Sequence, residues 1–123
     1  MESFTKPLSG LKEYEELKTT LSKEKGIIQV SGCIDVQKPH LIYSLSKEKE
    51  KKLIVTFNEQ KARELYDNYR FYDREAVYYP AKDVLFYQSD IRGNALTAER
   101  LQAVRAILEN EQVTIITTFD ALL

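Results

Sequence analysis

Leu8, Leu11, Tyr14, Leu17 and Leu21 recur at steps of three and four residues, so LSGLKEYEELKTTL predicts an amphipathic helix that Gly26 ends. GIIQV, 26–30, is a short apolar run that predicts a buried strand. PHLIYSLSKEKEKK predicts a second helix with Pro39 in its first turn, where a missing N–H costs nothing, and a solvated charged tail. LIVTF, 53–57, is apolar, β-rich and flanked by charge, the clearest strand in the chain. NEQKARELYDNYRFYD then predicts a helix capped by Asn58, with Ala62, Leu65, Tyr66 and Tyr69 on one face.

AVYYP, 76–80, predicts a third strand ended by Pro80. In LTAERLQAVRAILENE, Thr97 is the expected cap and Glu99 suits the first-turn dipole. Leu101, Val104, Ile107 and Leu108 form its apolar stripe. VTIITT, 113–118, is the fourth expected strand, and FDALL reads as a helix beginning.

Strands alternating with helices predict a mostly parallel, four-stranded sheet with helices on both faces. No linker or repeat interrupts the pattern, so the expectation is one α/β domain over 1–123: an N-terminal helix over 1–25 and β/α units over 26–123. The closing apolar residues start an element that has no continuation, which reads as a truncated domain.

Lys+Arg 18 against Asp+Glu 19 gives a net charge of −1, so no global field favours nucleic acid or an anionic membrane. No apolar run approaches the roughly 20 residues that span a bilayer, and no signal peptide opens the chain. A single Cys neither staples the fold nor builds a cysteine zinc site, and together these features point to a cytoplasmic protein.

The strand–loop–helix layout over 26–45 invites comparison with the phosphate-binding pattern G-x-x-x-x-G-K-[ST]. The eight positions read GCIDVQKP: Gly32 and Lys38 are in place, Gln37 stands for the second Gly and Pro39 for the Ser/Thr. A Cβ in a left-handed conformation costs on the order of 1–2 kcal/mol. Pro39 removes both the hydroxyl that would hold Mg²⁺ and a backbone N–H. Asp35 places negative charge inside the anion nest. Lys38 retains about 1.5–3 kcal/mol of charge-assisted bonding, against about 8 kcal/mol for a micromolar site. The loop therefore reads as architecture without nucleotide or metal chemistry, and Lys38 equally as an ordinary surface lysine at a helix start.

The chain's eight tyrosines and five phenylalanines are conspicuous, but Asp67, Asp73, Glu75 and Asp83 interleave with Arg70, Arg74 and Lys82, so no basic track accompanies them. They read as packing aromatics. Cys33 and His40 lack a third orienting group and read as a buried small thiol and a helix-start histidine. The carboxylates are too scattered for a metal cluster.

The order YYPAKDVLFYQSD, TAERLQAVRAIL, VTIITTFDALL, with the opening KPLSGLKEYEELKTTL, resembles the N-terminal domain of the bacterial transcription-repair coupling factors, the Mfd family. That domain is similar to the first domain of UvrB, the damage-verifying subunit of nucleotide excision repair. The resemblance implies a partial RecA-like layer with a degenerate nucleotide loop and no catalytic residues. It implies no cofactor here, with ATP and Mg²⁺ belonging to a motor outside this chain. The parent would be an ATP-dependent DNA translocase that displaces stalled RNA polymerase and recruits UvrA through the module that follows.

UvrB carries a long aromatic hairpin after its equivalent of FYQSD; here only IRGNAL separates Asp90 from Thr97, too short for one. Phe86, Tyr87, Phe119, Leu122 and Leu123 are the candidates for contacts with neighbouring domains. The segment itself is expected to be monomeric or weakly self-associating through FDALL. The competing readings are a small stand-alone NTPase with a variant phosphate loop and a single-strand binder.

Overall fold

The computed structural model describes residues 2–23, 26–82 and 90–123. The chain divides into two compact units, Met1–Glu48 and Lys49–Leu123.

In the first unit, helix α1 spans Glu2–Thr5, a 3₁₀ turn spans Leu8–Gly10, α2 spans Lys12–Lys23 and α3 spans Lys38–Ser46. The expected helix from Leu8 is thus broken: Leu11 is extended at φ −93°, ψ 125°, and α2 starts after it. Gly10 supplies the weak point, since glycine costs a helix interior about 1 kcal/mol relative to alanine. Tyr14 is buried and its hydroxyl donates to the Ser44 carbonyl at 3.2 Å, tying α2 to α3. Lys47 Nζ donates to Thr5 Oγ1 at 3.4 Å and helps hold α1 on α3.

GIIQV does not form the expected first strand: 27–30 runs without a ladder partner among the described residues. Ile27 is fully exposed and Val30 half-exposed; only Ile28 is partly covered. An apolar run becomes a strand only where a neighbouring backbone takes its N–H and C=O groups. Among the described residues the sheet is therefore three-stranded, not four-stranded.

The second unit holds that sheet: β1, Lys51–Thr56; α4, Glu59–Tyr69; β2, Val77–Tyr79; α5, Asp90–Glu109; β3, Val113–Thr118; and α6, Phe119–Leu122. The strand order is β1-β3-β2, both pairings parallel, with Leu53 opposite Ile115 and Tyr78 opposite Ile116. β3 is central and almost wholly buried. Its buried threonines are each bonded: Thr114 Oγ1 donates to Asp73 Oδ2 at 3.0 Å, and Thr117 Oγ1 to the Tyr79 carbonyl at 2.7 Å.

Adjacent residues of β2 face opposite sides of the sheet. The Tyr78 ring meets Tyr66 of α4 at 5.7 Å between centroids, whereas the Arg100 guanidinium of α5 lies 4.2 Å over Tyr79. The two helices therefore cover opposite faces. On the α5 side, Leu53 and Val55 of β1 stay exposed, as do Leu101, Val104 and Leu108 of α5 itself. Asn58 caps α4 as expected, Oδ1 accepting from Lys61 N at 2.8 Å. Thr97 does not cap: α5 begins at Asp90, so IRGNAL is helical and both Thr97 and Glu99 lie inside the helix. Only Gly93 in that stretch opposes a helix, and one glycine is insufficient to stop it.

Candidate functional site

The loop of 32–39 closes on itself. Gly32 has φ +83°, a conformation that its missing Cβ permits. The Ile34 carbonyl accepts from Gln37 N at 2.9 Å and from Lys38 N at 3.2 Å. Gln37 Oε1 accepts from Ile34 N at 3.4 Å. Lys38 Nζ lies 2.7 Å from Asp35 Oδ1, an exposed ion pair three residues apart. The N–H groups of Ile34, Gln37 and Lys38, and the lysine charge, thus all serve internal acceptors. Pro39, in the first turn of α3, is buried and offers no N–H.

Anion nests work by aiming several free N–H groups at one point; this loop turns three of its N–H groups and its lysine inward. It borders an open cleft of about 460 Å³ in the first unit, whose walls include Leu8, Leu11, Leu17 and Val30. Cys33 Sγ lies 3.7 Å from the Ile34 carbonyl, and His40 Nε2–H donates to the Phe4 carbonyl, which fixes the tautomer and ties α3 to α1. Cys33 and His40 both line this cleft.

In the second unit the polar groups converge on Glu59 at the carboxyl end of the sheet. Its Oε1 accepts from Ala81 N at 3.0 Å and from Thr118 Oγ1 at 3.1 Å; its Oε2 accepts from the Tyr78 hydroxyl. One carboxylate at the start of α4 therefore joins the ends of β2 and β3. Thr118 Oγ1 also accepts from Ala121 N at 3.2 Å, capping α6. Burial, the Glu59 hydrogen bond and the Glu59 charge together push the Tyr78 hydroxyl pKa up. Because every donor is satisfied by protein, the arrangement is a structural knot.

Phe119, Leu122 and Leu123 are exposed, while Ala121 between them is buried. Phe86 and Tyr87 lie outside the described residues. Sequence reasoning missed Glu59 and a cluster formed by Arg63, Tyr66 and Arg70, which occupy one face of α4 at spacings of three and four residues. Arg63 stacks 4.5 Å over the Tyr78 ring and Arg70 5.3 Å over Tyr66. The signal was present in that periodicity, but was hidden by the carboxylates between them in the sequence.

Among the described residues no group of His, Cys, Asp and Glu is placed to hold a metal ion. Among them too, no helix is long and apolar enough to cross a membrane. No family model, curated protein or solved structure matches the chain.

Proposed function

We propose that the chain is a non-catalytic scaffold and interaction module of a transcription-repair coupling factor, its parallel sheet being part of a RecA-like layer. The observation that carries the non-catalytic reading is the inward closure of 32–39, where Lys38 is held by Asp35 and the N–H groups of Ile34, Gln37 and Lys38 by Ile34 and Gln37. The sequence resemblance supplies the parentage. In this reading the parent works in the bacterial cytoplasm, spending ATP in a motor outside the chain to displace stalled RNA polymerase and recruiting UvrA through the following module.

The interaction reading is supported by the α5 side of the second unit. Leu53 and Val55 on β1, with Leu101 and Val104 on α5, are apolar and open to solvent. Exposed apolar side chains gathered on one side of a sheet favour a docking surface. The neighbouring domains of the parent are its proposed occupants. The alternative, a small NTPase, needs a free lysine and outward-facing loop donors, and is disfavoured by the Lys38–Asp35 pair and the inward bonds of Ile34, Gln37 and Lys38.

The test is reconstitution in trans. A coupling factor lacking its corresponding segment should bind this chain on size exclusion, and Leu53→Asp or Val104→Asp should abolish the complex. Failure of the intact, folded chain to bind counts against the reading.

A further inference from the structure

The arginine cluster of α4 lies over the outer edge of β2. β2 pairs only with β3 among the described residues, so its other edge carries no strand. An open cleft of about 410 Å³ there is lined by β2 and the residues before it, by α4 on one side and by α5 on the other. Since the two helices cover opposite faces, a cleft bounded by both has the strand edge as its floor.

The charges in the cleft are not equivalent. Arg63 is taken by Glu99 of α5 at 3.4 Å, an exposed pair that crosses the cleft and opens when a peptide backbone enters it. Among the described residues no carboxylate lies within ion-pair distance of Arg70 or Arg74. Glu75 also lines the cleft, and positive charge remains in excess. Stacking on Tyr66 orients the Arg70 guanidinium, which leaves its N–H fork free for a carboxylate.

We propose that this cleft binds an acidic peptide segment of a partner in extended conformation, its backbone laid along β2 and its carboxylates on Arg70 and Arg74. Addition of a strand to a free sheet edge supplies main-chain hydrogen bonds, and side-chain charges select the sequence. Charged residues beside an edge strand ordinarily deter pairing; here their sign repels basic segments and admits acidic ones. Single-stranded nucleic acid is disfavoured because the tyrosine faces it would need are covered by Arg63 and Arg70. Tyr66 and Tyr78 also pack against each other. The inference draws only on this cleft and holds whatever the parent protein is.

The test uses the full chain and a fluorescein-labelled octapeptide of alternating Glu and Thr, read by anisotropy at low salt. Saturable binding is expected, weakened about tenfold by Arg70→Ala and by Arg74→Ala and unaffected by Arg105→Ala on the exposed face of α5. The alternating Lys and Thr peptide and oligo(dT) should not bind. Amide resonances of 75–79 in the unmutated chain should shift on addition of the acidic peptide, a readout independent of whether the variants fold. The proposal is overturned if those resonances stay fixed, if the arginine variants bind as the parent does, or if oligo(dT) binds as tightly as the peptide.

Discussion

The Tyr78 hydroxyl donates to the Glu59 carboxylate, which links the middle of β2 to the first residue of α4. The same carboxylate accepts from Ala81 N and Thr118 Oγ1, so the ends of two strands depend on one side chain. Glu59→Ala leaves these donors without an acceptor and is expected to cost about 2–3 kcal/mol. Glu59→Gln should cost about 1 kcal/mol, because its carbonyl oxygen still accepts from Ala81 and Thr118 while its amide donates to a reoriented Tyr78 hydroxyl. Urea melts of the two variants check the difference; equal costs would mean that the carboxylate's charge, not its acceptors, is what matters.

The raised pKa of Tyr78 fixes the sign of a pH effect. The unfolded chain releases this proton near the ordinary value of 10.0, whereas the folded chain holds it to higher pH. Stability from this group is therefore complete below pH 10 and is lost as pH rises above it, at up to about 1.4 kcal/mol per pH unit. Tyr78→Phe should be less stable at neutral pH and should show a shallower alkaline decline. Parallel alkaline curves for the two proteins would remove the assignment.

Asn58 holds the first turn of α4 through Lys61 N. Asn58→Ala should destabilise by about 1 kcal/mol and Asn58→Gly by only a few tenths. Thermal melts followed by circular dichroism give the ranking directly.

Phe119, Leu122 and Leu123 are exposed around the buried Ala121. Weak self-association through these side chains is expected at high concentration, reduced by Phe119→Ser with Leu122→Ser. Static light scattering that reports a monomer up to millimolar concentration would contradict it.

The sequence was most legible where signals were local. The apolar runs at 53–56 and 113–118 lie in β1 and β3, which pair in parallel as the alternation with helices requires, although β1 starts at Lys51, in the stretch expected to be a helix tail. The Asn58 cap needed only the neighbouring helix. GIIQV misled because an apolar pentamer looks the same whether or not another strand lies beside it, and Ile27 here has no such neighbour. Thr97 misled because a good capping residue also sits within a helix that nothing before it stops. In the candidate loop, the loss of Gly at Gln37 and of the hydroxyl at Pro39 was readable, but the capture of Lys38 by Asp35 required coordinates. Glu59 gave no local signal, because its three donors come from positions 19 to 59 residues away.

The central claim is that the turn before α3 spends its lysine and the N–H groups of Ile34, Gln37 and Lys38 on internal acceptors and so does not grip a triphosphate. Calorimetric titration of the chain with ATP and Mg²⁺ tests it most directly. The account predicts no saturable heat, and the same flat trace for Lys38→Ala. Micromolar binding that Lys38→Ala abolishes would contradict it.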